Sequence, residues 1–305
     1  RVVEEGAAEE VLRRPQADYT RMLIAAVPSL EPAERPPLAG PVALETRDLA
    51  KTYGAGGWLR RGRVVRAAEA VNLHVRRGET LGIVGESGSG KTTVARCVAR
   101  LVEPTGGAIR LGDADIAALP ERKLRPHRRK VQIVFQDPYR SLNPRRTVGS
   151  SIVEGPMNFG LSHAEALGRA RSLMGLVGLS PDALDRYPHQ FSGGQRQRIA
   201  IARALAMEPE VLIADEAVSA LDVSVQRQVL DLLDDVKRRF DLAVLFITHD
   251  LRVAAQICDR VMVMEKGVVV EEGATHAVFT APRHPYTQAL LAAAPGRGFG
   301  FGKAA

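Results

Sequence analysis

Four short, unbroken apolar runs punctuate the chain: TLGIVG at 80–85, KVQIVFQ at 130–136, EVLIADE at 210–216 and LAVLFITHD at 242–250. Half-solvated strands would alternate polar and apolar residues. Continuous runs of this length predict strands buried on both faces of a largely parallel sheet. Stretches 91–103, 163–177, 194–207 and 223–239 carry apolar positions at helical spacing and predict helices. Strand and helix in alternation predict an α/β fold. No apolar run approaches the ~18 residues of a membrane-spanning helix, and no signal peptide is expected at the start.

An internal repeat adds to this picture. Residues 2–28, VVEEGAAEEVLRRPQADYTRMLIAAVP, align without a gap on residues 269–295, VVEEGATHAVFTAPRHPYTQALLAAAP, with 14 of 27 positions identical. The first 30 residues therefore read as the C-terminal remnant of a preceding copy of the same domain. Residues 31–41, EPAERPPLAGP, are Pro-rich and read as a linker with little to pack.

Composition sets only broad bounds. A chain of 305 residues, 45% hydrophobic and 25% charged, is a globular protein with a sizeable core. Two cysteines, Cys97 and Cys258, are too few for a disulfide framework or a thiolate metal site and fit a reducing compartment. The net charge of +7 includes two basic runs, RRGRVVR at 60–66 and RKLRPHRRK at 122–130. Neither carries aromatic residues at stacking intervals, so both read as solvated or membrane-facing loops rather than as a grip on nucleic acid.

The chemistry begins at GESGSGKTT, residues 85–93. Its first eight residues fit G-x-x-x-x-G-K-[ST] between an apolar strand and a helical stretch, the context in which the pattern binds a nucleoside triphosphate. Gly85, Gly88 and Gly90 let backbone N–H groups of Glu86, Ser87, Ser89 and their neighbours surround a phosphate without a Cβ in the way. Lys91 reaches the outer phosphates, Thr92 offers a hydroxyl to Mg²⁺, and Thr93 continues the helix N-terminus. VLIADE at 211–216 ends an apolar strand in two carboxylates. Asp215 suits Mg²⁺, and Glu216 suits the orientation and deprotonation of water.

FSGGQRQR at 191–198 resembles the signature segment of ABC-type ATPases, with Ser192 standing 23 residues before Asp215. Tyr53, Gln136, the loop Ser219 to Asp222, and His249 fall where that family has an adenine-stacking aromatic, a glutamine loop, a post-carboxylate loop and a switch histidine. The resemblance covers about 42–295. It implies a P-loop fold with a mostly parallel core sheet, an antiparallel β subdomain and a helical signature subdomain. It also implies ATP and Mg²⁺ as ligands, with Gln136 joining Thr92 and Asp215 near the metal. Glu216, His249 and Gln136 are then the catalytic set, and Asp222 joins the nucleotide-contacting residues. Ser192, Gly193, Gly194 and Gln195 are expected to face the γ-phosphate held by a second ABC domain, from the same polypeptide or a second copy. One departure is Ala217-Val218 where the family usually has Pro-Thr; it loosens the turn slightly without removing a catalytic group.

QDPYRSLNPRRTVG at 136–149 and RHPYTQALLAAAP at 283–295 resemble the oligopeptide/dipeptide/nickel importer branch. The implied boundaries are 42–278 for the ATPase domain and 279–305 for the branch's C-terminal extension, with no iron–sulfur cluster in this cysteine-free tail. The implied assembly is peripheral, on the cytoplasmic face of the cell (inner) membrane, bound to two integral permease subunits served by an extracytoplasmic substrate-binding protein. The competing reading is a soluble ABC ATPase acting on nucleic acid or ribosomes.

Overall fold

The four apolar runs become strands of one sheet in the computed structural model, which describes residues 2–32, 34–36, 38–54 and 64–294. In chain order the strands are β1 (Val42–Tyr53), β2 (Val65–Arg76), β3 (Thr80–Val84), β4 (Gly106–Leu111), β5 (Ala114–Asp115), β6 (Val131–Val134), β7 (Val211–Asp215), β8 (Ala243–Ile247), β9 (Arg260–Glu265) and β10 (Val268–Ala274). The larger sheet runs β10-β9-β3-β8-β7-β6. Its neighbours from β9 to β6 are parallel, and β10 adds an antiparallel edge. A second, antiparallel sheet runs β2-β1-β4-β5.

The unbroken apolar character has a direct cause. Successive residues of a strand point to opposite faces, and here each face meets its own core. Val211 and Ile213 join β1, β2 and the helix Lys91–Val98 in one cluster. Leu212 and Ala214 join helices Val148–Asn158, Gly193–Leu205 and Val223–Phe240 in the other. All five residues of β3, β7 and β8 are buried. At ~25 cal/mol per Å² of apolar surface, polar residues at alternate positions would forfeit one of the two packing faces.

The helices at His163–Leu176, Gly193–Leu205 and Val223–Phe240 match expectation within two residues. The helix expected over 91–103 stops at Val98 instead. Arg100 turns left-handed with φ 52°, and its guanidinium donates to the carbonyls of Ile116 and Leu119 at 2.9 and 3.1 Å. Both cysteines are buried and unpaired, and burial pushes the Cys97 thiol up to about 11.

Within residues 31–41, the stretch expected to be a linker, most of the described residues are exposed, but one is tied to the domain. Arg35 donates to the carbonyls of Ile257 (3.1 Å) and Gln256 and to Asp259 Oδ1 at 3.0 Å. Pro32 is buried as well. A single long cationic side chain anchors the stretch, and composition does not register it.

The sequence repeat is also a structural one. Helices Ala8–Arg13 and Thr275–Thr280 occupy equivalent positions, as do Asp18–Ala26 and Pro285–Ala292 to within a residue. The Glu4 carboxylate accepts the amides of Gln16 and Ala17 at 2.8 and 3.2 Å. Its counterpart Glu271 accepts those of Arg283 and His284 at 2.8 and 3.0 Å. Tail residues 295–305 lie outside the described residues.

Candidate nucleotide-binding site

β3 ends at Val84 and the helix starting at Lys91 begins seven residues later, so the loop between them is held at the C-terminal edge of the parallel sheet. Gly85 and Gly90 have φ of 147° and 105°. A Cβ there would fall 2.3 Å from the Met264 carbonyl oxygen and 2.1 Å from that of Ala67. These glycines are thus demanded first by the protein's own backbone rather than only by a phosphate. A Cβ on Gly88 would meet nothing within 4 Å; this glycine faces the open side.

That side is a cavity of about 810 Å³ lined by Ser87, Gly88, Gly90, Lys91, Thr92 and Thr93, with Gln136 and Glu216 opposite. Lys91 is buried, its Nζ donating to the carbonyls of Gly85 and Glu86 at 2.7 Å each and to Ser89 Oγ at 3.3 Å. Burial depresses its ammonium below the usual lysine range, against the pull of Glu216, Asp215 and Glu86. Thr92 Oγ1 donates to Asp215 Oδ1 at 3.2 Å. Burial raises the Asp215 carboxyl, opposed by the Thr92 hydrogen bond, Arg96 and Lys91.

Glu216 follows β7 with φ 51°, and its amide donates to the Ile247 carbonyl at 2.9 Å. This bond brings the ends of β7 and β8 together and places His249 Nδ1 3.3 Å from Glu216 Oε1. On the other flank Gln136 Nε2 donates to Ser219 Oγ at 3.1 Å, and Ser219 Oγ donates to the Glu216 carbonyl at 3.0 Å. Gln136, Ser219, Glu216 and His249 therefore form one connected line. Ala217 and Val218, in place of Pro-Thr, are both buried, so packing rather than a proline ring holds the turn.

The remaining expected residues lie elsewhere. Tyr53 ends β1 paired with Val65, which lines the cavity, but Tyr53 itself does not. Glu86 faces the opposite side of the loop. Asp222 caps the helix Val223–Phe240, accepting the Val225 amide at 3.0 Å; that bond and the Ser224 hydroxyl hold its carboxyl below the usual range. Ser192 caps the helix Gly193–Leu205 in a reciprocal pairing with Gln195. A Cβ on Gly194 would lie 2.2 Å from Val225 Cγ1, while Gly193 is open. None of Ser192 to Gln195 lines this cavity.

Sequence reasoning missed two cations of the cavity wall, Arg66 and Lys266. The signal for Arg66 was present in the run 60–66, which was read as a solvated or membrane-facing loop; residues 60–63 lie outside the described residues. In the other run three of the six Arg and Lys residues meet acids: Arg128 pairs with Glu121, Arg129 with Glu208 and Lys130 with Glu210.

Taken together, these features define a P-loop nucleoside triphosphatase of the ATP-binding cassette type. A profile of the ABC transporter family matches residues 68–219. A profile of the oligopeptide/dipeptide transporter C-terminal region matches twice, at 3–54 and 270–299. A Brucella ovis chain described as a peptide import ATP-binding protein is 49% identical over 253 residues, 83% of this chain and 78% of its own. The glutathione import ATP-binding protein GsiA of Escherichia coli O157:H7 is 47% identical over 321 residues, 96% of this chain and 52% of its own. The solved cassette MJ0796, dimeric with ADP and phosphate bound, superposes with a TM-score of 0.67 at 31% identity, covering 76% of this chain and 98% of that one. The chain belongs to the ABC transporter ATP-binding family. Its substrate is ATP, its chemistry is ATP hydrolysis, and Mg²⁺ is the accompanying ion. The donor set fits that ion: one hydroxyl and one carboxylate, both hard oxygens, with room for nucleotide oxygens and water to complete the shell. Among the described residues no cluster of three or more His, Cys, Asp or Glu offers an all-protein metal cage.

Proposed function

We propose that this chain is the ATP-hydrolysing subunit of an importer of the di-/oligopeptide type, and that it corresponds to the second half of a tandem protein with two such domains. The observation that carries this reading is the double match of the oligopeptide/dipeptide C-terminal region, once on each side of a single ABC core. The repeated glutamate clamp supports it, as does the span of this chain over about half of GsiA. Residues 1–30 then close a preceding cassette, 31–41 connect it, and 279–305 form the extension of this one.

Within the site, Lys91 and the loop amides bind the phosphates, and Thr92 and Asp215, with Gln136 near by, would hold Mg²⁺. The ion's contribution is to neutralise phosphate charge. Glu216 orients water and takes its proton, and His249 holds the carboxylate and senses the γ-phosphate. Tyr53, at the lip of the cavity, packs on adenine. Ser192, Gly193, Gly194 and Gln195 serve the nucleotide of a second ABC domain, which agrees with their place outside this cavity and the exposure of Ser192. Asp222 fixes the loop that faces that partner.

No helix among the described residues is long and apolar enough to cross a membrane, so integral permease subunits and an extracytoplasmic binding protein would supply the path and the cargo. The segment 136–149 is their docking site. Tyr139 within it is exposed and stacks under Arg196 of the signature helix, the guanidinium 3.5 Å from the ring centre. Movement at the membrane face would thereby reach Ser192. The match to the oligopeptide/dipeptide transporter C-terminal region favours this reading over nucleic acid. Affinity purification from native membranes tests the whole reading. Recovery of integral subunits and peptide-stimulated ATPase activity is the expected result; salt-sensitive recovery of RNA or DNA without them overturns it.

A further inference from the structure

The C-terminal extension touches the phosphate loop directly. The Glu86 amide donates to the Tyr286 hydroxyl at 3.2 Å. The carbonyl of the same peptide group, that of Gly85, accepts Lys91 Nζ at 2.7 Å. One peptide unit is therefore held between the ammonium of the nucleotide site and a phenol of the extension. Each of these bonds polarises the next.

Tyr286 is itself held in place. Glu271 of β10 accepts the amides of Arg283 and His284, and His284 Nδ1 caps the helix Pro285–Ala292 by accepting the Tyr286 amide at 3.2 Å. Burial works against the ionised Glu271, but those two amide hydrogen bonds help hold its carboxyl below the usual range. The start of the helix thus stays clamped at neutral pH. The contact also lies outside the cavity of Lys91, which neither Glu86 nor Tyr286 lines. Glu86 lines a separate cavity of about 500 Å³ with His249, Asp250 and Leu290 rather than the cavity lined by Lys91. The hydroxyl therefore does not compete with a phosphate; it braces the loop from outside that cavity.

We propose that Tyr286 is a positioning residue for ATP binding, and that the C-terminal extension sets nucleotide affinity by holding the Gly85–Glu86 peptide in the orientation Lys91 requires. This rests on the assignment of the loop as the ATP site. A displacement of the helix Pro285–Ala292 would be felt as weaker nucleotide binding.

The test is Tyr286→Phe in the full chain, which removes one oxygen and keeps the ring. MgADP affinity by titration calorimetry should fall about three- to tenfold, the range for one net hydrogen bond. The Km for ATP should rise with kcat little changed. Amide exchange should quicken at 85–90 and stay constant in β7 and β8. Tyr19→Phe, the duplicate position and exposed, should change none of these. Unchanged MgADP affinity in Tyr286→Phe, with a parent chain that binds normally, overturns the inference alone. Equal losses in both variants, or a fall in kcat and melting temperature with Km constant, also overturn it. A parent chain that binds no nucleotide overturns the ATP-site assignment and this inference with it.

Discussion

His249 Nδ1 stands 3.3 Å from Glu216 Oε1, with the two residues carried on the ends of adjacent parallel strands. The left-handed φ of Glu216 and the hydrogen bond its amide donates to the Ile247 carbonyl fix that distance. A non-glycine residue in this region stores ~1–3 kcal/mol and persists only when its surroundings enforce it. A carboxylate so placed keeps one oxygen toward the histidine and the other free for water.

Glu216→Gln keeps this shape and removes the proposed base. ATP turnover should fall by about 10²–10⁴-fold, the range for one acid–base group, with MgATP binding retained. Near-parental turnover would remove Glu216 from its role.

Asp215 gives a prediction with a defined pH sign. Its carboxyl is raised in the folded chain by burial, so the folded state binds its proton more tightly than the unfolded state does. The stability from this group is fully present below the ordinary aspartate range and is lost as pH rises through the elevated value. Asp215→Asn should therefore raise the melting temperature of the nucleotide-free chain at pH 7, and the gain should shrink as pH is lowered toward the carboxylate range. Mg²⁺-dependent hydrolysis should be lost in the same variant. A gain that grows on acidification would contradict the assigned cause.

The two glycines of the loop's end should behave differently. Gly90→Ala drives a Cβ into the Ala67 carbonyl at a φ of 105°. It should lower stability by about 2–4 kcal/mol, strain and clash together, and abolish nucleotide binding. Gly88→Ala meets open space and should cost about 1 kcal/mol from its left-handed backbone alone. Thermal melts of the two variants separate the cases; equal losses would remove the distinction.

Most of the site was legible because its parts are local. The loop 85–93, Asp215 and Glu216 each sit within or beside a short apolar strand whose end the sheet places at one edge. Gln136 and His249 were legible only through family spacing, and Ser219 as their connector needed coordinates, since a hydroxyl's partner depends on rotamer and loop path. Arg66 and Lys266 were missed because β2 and the β9–β10 turn converge on the cavity from distant sequence. The early end at Val98 was missed because a left-handed Arg100 stabilised by two remote carbonyls leaves no mark in helical periodicity.

Arg35 is the residue for which composition and structure disagree most. Its guanidinium satisfies the carbonyls ending the helix Leu251–Ile257 and pairs with Asp259, which places a cation at a helix C-terminus. Removing it does not orphan Asp259, whose other oxygen accepts the Thr80 amide at 2.8 Å and Lys237 at 3.3 Å. The loss on Arg35→Ala should thus be about 1–3 kcal/mol, that of hydrogen bonds to a charged group, rather than that of a buried unpaired charge. The effect should concentrate in the N-terminal segment. Limited proteolysis should cut within 31–41 at least several times faster than in the parent, while MgADP affinity stays constant. A cleavage rate equal to the parent's would show that Arg35 does not hold this stretch in place.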